Sequence, residues 1–341
     1  YCVHVQWNIS GGIDKHILKS AWQHLIKQHT ILRTRFAWQG LDHPVQIVQQ
    51  DATINWTELN WCNLTEPELE SKLTALIAQD KAQGFNLSIA GCQRLYLIKV
   101  ADDEHIFIWS HHHIILDGWS LGILLDDLQH HYQALIENKT FTRNTPTFES
   151  YIHYINQKNK QTSHEYWSSQ LHDFTTPTQI SINSKPDSLN IHRNKQQSAQ
   201  ASLVLSADVT KQIHQFAKQS NVTLSSVIQF AWAYLLSYYS GEDDIVFGTV
   251  VSGRSYDLAN IDTMAGLFIN SAPIRVQFQH DKPLQAQLLA THKNITQANM
   301  HAYCNLTEIH QCSAVEPGTA LFNNLMVFEN YPIDEDTANN A

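Results

Sequence analysis

Ser110-His111-His112-His113-Ile114-Ile115-Leu116-Asp117-Gly118-Trp119-Ser120 is the stretch on which the reading of this chain turns. It follows Ile106-Phe107-Ile108-Trp109, an apolar run that reads as a strand. It precedes Leu121, Leu124, Leu125, Leu128, Tyr132 and Leu135, whose spacing places them on one face of a helix. A strand-to-helix junction holds an imidazole rigidly and leaves one edge open to a substrate. A neutral imidazole is a good general base near pH 7 once something fixes its tautomer. Asp117, four residues after His113, is expected to fix the loop by pairing with a cation elsewhere. Gly118 is expected to let the backbone turn sharply or a substrate come close, and Trp119 to wall the site. Two other readings stand beside this one. The chain holds 20 histidines, so neighbouring histidines before an Asp-Gly turn also fit a plain strand end. Three consecutive histidines raise the question of a metal. Adjacent residues on a strand face opposite ways and rarely share one ion, so no metal is expected.

Composition narrows the function classes. The chain has 341 residues, 43% of them hydrophobic, enough for two lobes with their own cores. Its formal charge of −10 argues against non-specific binding to nucleic acid. No apolar run approaches the roughly 20 residues that span a bilayer, and no signal-peptide pattern opens the chain. Cys2, Cys62, Cys92, Cys304 and Cys312 are scattered, odd in number and without a CxxC pair. That fits ordinary thiols in a reducing cytoplasm.

Upstream of the junction, alternating Val3, Val5 and Trp7 read as a strand broken at Gly11-Gly12. Asp14 is placed to cap a helix running to about His29. A strand from His43-Pro44 to Val48, a helix over 66–79, and strands over 95–100 and 105–110 follow. From about Asp173 to Gln200 the composition shifts to Thr, Ser, Pro, Asn and Lys, as in a linker. The pattern then restarts with a strand over 201–205, helices over 207–219 and 224–239, and a buried strand over 244–251. Two halves that each mix strands with amphipathic helices predict two α+β lobes. The expected division is an N-terminal lobe over 1–172, a linker over 173–200 and a C-terminal lobe over 201–341.

His112 to Ser120 resembles the HHxxxDGWS signature of condensation domains of nonribosomal peptide synthetases, members of the chloramphenicol acetyltransferase-like superfamily. Gln28-His29-Thr30-Ile31-Leu32-Arg33-Thr34-Arg35-Phe36 resembles that family's RHExLRTxF, departing at Gln28 and Thr30. Asp244 to Arg254 is similar to its DVVFGTxVSGR. Gly266 to Arg275 is similar to its GxFxNTxPxR, with Ser271 for Thr, and Leu321 to Pro332 to its LFDSLLVFENYP. These motifs occur in the family's order along nearly the whole chain. A family motif that would precede Tyr1, and sequence that would follow Pro332, are missing, so the chain is read as truncated at both ends with an incomplete second lobe.

The resemblance implies two chloramphenicol acetyltransferase-like α/β sandwich lobes in a V-shaped pseudo-dimer, with His113 midway along a channel at their interface. It implies peptide-bond-forming condensation between a donor thioester and an acceptor aminoacyl thioester, each on a carrier-protein phosphopantetheine arm. His113 is the expected catalytic residue. His112, Asp117, Gly118 and Arg33 are expected to support it, Arg33 by pairing with Asp117, with Arg35 as the alternative. Trp119, Ser120 and Asn270 are expected along the channel. No cofactor is expected on the domain itself. The expected partners are upstream and downstream peptidyl carrier domains and an adjacent adenylation domain, with no nucleic acid and no membrane, in the cytoplasm. A free-standing acyltransferase making an ester or amide, and a catalytically silent carrier-binding module, are the alternatives.

Overall fold

The computed structural model describes residues 1–180, 200–254 and 257–329. The chain forms two compact units, Tyr1–Gln157 with Asp257–Phe268, and Lys158–Tyr256 with Ile269–Glu329. Both mix helices with sheet, so the α+β expectation holds.

The first unit runs β1 (Cys2–Ser10), α1 (Lys15–Gln28), β2 (Thr34–Ala37), β3 (Val45–Val48), β4 (Trp56–Asn60), α2 (Glu66–Gln83), β5 (Gln93–Ala101), β6 (Glu104–His112), α3 (Gly118–Ile136) and α4 (Phe148–Gln157). Its main sheet has the order β1-β6-β5-β4, and β2 and β3 form a separate hairpin. β6 is antiparallel to both β1 and β5, whereas β4 joins β5 in parallel. Helices α2 and α1 cover the two faces of β6, which explains the unbroken apolar run before the histidines. Ile106 and Ile108 face α2 and pack with Leu69, Leu73 and Leu76. Phe107 and Trp109 face the other way, against Trp22 of α1 at ring-centroid distances of 5.8 and 5.0 Å.

Helix starts follow the local chemistry. Asp14 caps α1 by accepting from the His16 and Ile17 N–H groups at 2.8 and 3.1 Å. Thr65 and Glu68 form a capping box at the start of α2. Asp80, near the other end of α2, is buried and takes hydrogen bonds from Arg94, Tyr96 and Ser110. Burial alone would raise its carboxyl. The hydrogen bonds from Arg94, Ser110, Tyr96 and His4 outweigh it and hold the group well below the usual carboxylate range.

Polar side chains join α1 to α3. Gln28 Nε2 and His29 Nε2 lie 2.7 and 2.8 Å from Asp127 Oδ2, and His131 Nε2 donates to Gln28 Oε1 at 2.8 Å. His131 Nδ1 has no hydrogen-bond partner among the described residues. Burial, then the facing His24, depress the His131 imidazole to about 4; the Asp127 carboxylate works against this, and His29 and His130 add to it. The folded chain therefore takes up this proton later than the unfolded chain, in which the group titrates near 6.5. The stabilising effect of a neutral His131 is complete above about pH 6.5 and is lost as pH falls toward 4. Between pH 7.5 and pH 5 the unmodified protein is expected to lose about 2 kcal/mol more stability than a His131→Gln variant. Urea midpoints at the two pH values check this, and parallel losses in both proteins would contradict it.

The second unit runs α5 (Lys160–Leu171), α6 (Ala207–Gln219), α7 (Leu224–Ser240), β7 (Asp244–Val251), β8 (Asn270–Gln277), α8 (Leu284–His301), α9 (Leu306–His310) and β9 (Leu325–Met326). Its sheet order is β8-β7-β9. Ile245, Val246 and Phe247 of the central β7 are fully buried, in one core with Phe230, Ala233 and Leu236 of α7 and Leu288, Ile295 and Ala298 of α8. The buried strand expected over 244–251 is thus present.

Some expectations are not met. Residues 201–205 form no strand: Leu203 and Val204 are almost fully exposed, with no ladder partner among the described residues. The division by composition also differs from the division by packing. Trp167 and Leu171 of α5 are buried in the core of the second unit, and 257–268 belongs to the first unit. Most of the stretch read as a linker, 181–199, lies outside the described residues, as does Asn330-Tyr331-Pro332 of the last motif. Among the described residues no helix is long and apolar enough to cross a membrane.

Candidate active site

Strand β6 ends at His112 and α3 begins at Gly118, so five residues turn the chain. The turn is fixed at both ends. The His113 N–H donates to the Tyr1 carbonyl at 2.8 Å and the Ile115 N–H to the His112 carbonyl at 3.2 Å. Ile115 and Leu116 are fully buried, which anchors the middle of the loop.

His113 is half-buried, and its Nδ1 lies 2.8 Å from the Leu116 carbonyl oxygen. A carbonyl only accepts, so Nδ1 carries the proton, and in the neutral ring Nε2 presents a bare lone pair. The tautomer is set by the loop's own backbone, without a carboxylate. His112 has the opposite assignment: its Nδ1 accepts from the Ile114 N–H at 3.0 Å, which puts the proton on Nε2. Burial, ahead of nearby positive charge, lowers the His112 imidazole. His111 is buried against Trp109, and burial pushes it down to about 3, so it is neutral at any working pH.

Asp117 is the N-cap of α3 and is 1% exposed. Its Oδ1 accepts from the Ser120 N–H at 3.0 Å and lies 2.8 Å from Ser120 Oγ. Its Oδ2 accepts from the Phe268 N–H at 3.0 Å, and its own N–H donates to the Gly266 carbonyl at 3.1 Å. Ser120 Oγ accepts from the Gly266 N–H at 3.0 Å and lies 2.8 Å from the Gly266 carbonyl oxygen. The segment around Gly266 and Phe268 is thereby laced to the first turn of α3. It sits so close that a Cβ on Gly266 would lie 2.2 Å from the Phe148 ring. Gly266→Ala is accordingly expected to destabilise the protein by about 1–3 kcal/mol through overpacking. A double variant with Phe148→Leu should recover part of that loss in urea unfolding; simple additivity of the two changes would refute the clash.

Several sequence expectations need correction. Arg33 does not hold Asp117. Its guanidinium donates to the Gln49 carbonyl beside the β2–β3 hairpin, and among the described residues neither Arg33 nor Arg35 forms an ion pair with Asp117. The short helical turn ending at Arg33 directs that side chain to the hairpin. Gly118 is the first helical residue and makes no sharp turn, because Asp117 before it is extended. Ser120 is fully buried, its hydroxyl tied to Asp117 and Gly266. Asn270 opens β8 in the second unit, and its amide donates to the Ala302 and Cys304 carbonyls at 2.6 and 3.0 Å, tying down the end of α8. Trp119, in the first turn of α3, is 36% exposed.

The sequence reading missed the Leu116 carbonyl, Gly266 and Phe268. A backbone carbonyl leaves no trace in residue type, and the pairing of 266–268 with α3 spans about 150 positions. The capping role of Asp117 did have a local signal, an aspartate directly before an amphipathic helix with serine three positions on.

A family model described as Condensation domain matches residues 1–341. A linear gramicidin synthase of Brevibacillus parabrevis is 34% identical over 94% of this chain and 6% of its own length. Chondramide synthase of Chondromyces crocatus is 34% identical over 98% of this chain and 8% of its own. The chain therefore spans less than a tenth of these relatives. Among solved structures, the X-domain from teicoplanin biosynthesis superposes with a TM-score of 0.78 at 20% identity, over 95% of this chain and 72% of that one. A starter condensation domain of rhizomide synthetase gives a TM-score of 0.75 at 19% identity, over 96% and 72%. Both share the fold.

Proposed function

This chain belongs to the condensation-domain family, and from that premise we propose that it forms a peptide bond between two thioester-bound substrates, with His113 as the base. The single observation that supports the assignment is the pinned imidazole: Nδ1–H is committed to the Leu116 carbonyl, which leaves Nε2 to accept a proton. The acceptor's α-amine attacks the donor's thioester carbonyl. The C–N bond forms, the C–S bond breaks, and the ammonium proton passes to His113 Nε2 and on to the departing thiolate. An α-amine has a pKa of about 8, so part of it is already free at neutral pH. Much of the acceleration then comes from holding two tethered reactants together. His112, which carries its proton on Nε2, is a neighbour that shapes the loop.

The substrates are proposed to arrive on the 4'-phosphopantetheine arms of an upstream and a downstream peptidyl carrier domain, with an adenylation domain adjacent. The test uses one carrier loaded with an aminoacyl donor and a second with an aminoacyl acceptor, read by intact-protein mass spectrometry. A dipeptidyl mass on the acceptor carrier is the expected result. A folded chain that binds both carriers and yields no such mass across a panel of loaded amino acids would instead mark a silent carrier-binding module.

A further inference from the structure

On the α2 face of the main sheet, β1 and β6 bring together residues from opposite ends of the first unit. Cys2 and His4 alternate along β1 and so point to one face, and Ser110 of β6 lies opposite His4 in the ladder. Asp80 of α2 comes down onto them. Cys2 Sγ is 3.7 Å from His4 Nε2 and 3.6 Å from Asp80 Oδ2, and His4 Nε2 is 2.8 Å from the same Asp80 Oδ2. We propose that Cys2, His4 and Asp80 form a binding site for a divalent transition metal of the zinc type, independent of the condensation reading.

The donor set is one thiolate, one imidazole and one carboxylate oxygen, a combination that zinc favours. Metal–ligand bonds of about 2.0–2.3 Å in a tetrahedron put the ligand atoms about 3.3–3.6 Å apart. The two sulfur distances already match, and only the His4–Asp80 pair must open, by about half an ångström. The carboxylate is divided between two tasks. Oδ1 accepts from Arg94 and Tyr96, which fix its orientation, while Oδ2 faces Cys2 and His4. Ser110 Oγ, 3.3 Å from Cys2 Sγ, donates to Oδ2 from the remaining side. Such outer hydrogen bonds orient a ligand as they do in established zinc sites. His4 retains 14% exposure beside an Asp80 side chain at 2%, so the pocket is enclosed at the carboxylate and open at the strand. Binding replaces the Cys2 S–H proton and the His4 Nε2 hydrogen bond with metal bonds. The thiol proton is released to solvent, and the imidazole proton moves to Nδ1. The fourth corner of the tetrahedron is left to water. The ion would tie β1 to α2 at the end of the sheet that delivers His113.

The chain, stripped with a chelator and kept reduced, is titrated with Co2+ alone and followed by absorption. One equivalent giving a thiolate-to-cobalt charge-transfer band is expected, with Zn2+ displacing the band and raising Tm. Cys2→Ser should abolish the band, and His4→Gln should weaken Zn2+ binding by at least about 100-fold in competition with a chromophoric chelator, because losing a ligand costs no less than losing an outer partner. Cys62→Ser, at an exposed cysteine away from the cluster, should change neither. Circular dichroism identifies any variant that fails to fold, and His4→Gln then carries the test if Cys2→Ser does. Absence of the band in the unmodified chain, or a band and affinity unchanged by His4→Gln, overturns the proposal and leaves the cluster a hydrogen-bond network.

Discussion

On the proposed reading, His113→Ala is expected to lower condensation by about 10²–10⁴-fold, the usual worth of a positioned general base, and to leave the fold in place. The structural cost is small because His113 is half-buried and its side chain makes one described hydrogen bond, to the Leu116 carbonyl. Losing one such bond costs about 1 kcal/mol, a minor part of a domain's stability. Ile115, Leu116 and the Asp117 cap still hold the loop. The check is the two-carrier mass assay run beside urea unfolding of the same preparation. Dipeptide formed at the unmodified rate by the alanine variant would remove His113 from the chemistry. Loss of both activity and the folding transition would assign it a structural part instead. His113→Gln refines the result, because it keeps a donor near Leu116 and supplies no base. It is expected to be as slow as the alanine variant.

Asp117→Ala is expected to act on the other axis, lowering stability by about 2–4 kcal/mol. The cap of α3 accounts for about 1 kcal/mol of this. The remainder is the Phe268 N–H, which loses its Asp117 acceptor at about 1–3 kcal/mol. In a protein with about 5–15 kcal/mol to spare, that is a large fraction. Asp117→Asn keeps one oxygen as a cap and is expected to lose less. Urea midpoints of the two variants give the order, and an alanine variant as stable as the parent would show that the 266–268 segment does not depend on this carboxylate. Among folded molecules, Asp117→Ala should retain more activity than His113→Ala, because Asp117 touches α3 and the 266–268 backbone and does not contact the His113 ring in any described bond.

Several local rules carry directly from sequence to structure. The Asp14 cap, the 3.6-residue period of α3 and the two-residue alternation of β1 each depend on neighbours a few positions away, and each was legible. Strand 201–205 failed because a strand needs a partner, and Leu203 and Val204 face solvent with none described. Helix α5 was overlooked because only Ser163, Trp167 and Leu171 of its 12 residues are buried, too sparse an apolar stripe to stand out.

The sequence alone determined the family, the α+β class and the junction between β6 and α3. These follow from residue types at short spacing, which carry their physics with them. The tertiary structure decided what each group is bonded to. It put the His113 proton on Nδ1 through a backbone carbonyl, gave Asp117 to Ser120 and Phe268 in place of Arg33, and gathered Cys2, His4 and Asp80 from two elements. Hydrogen-bond partners are chosen by distances of about 3 Å between atoms far apart in the chain, and residue order does not encode those distances until the core has packed.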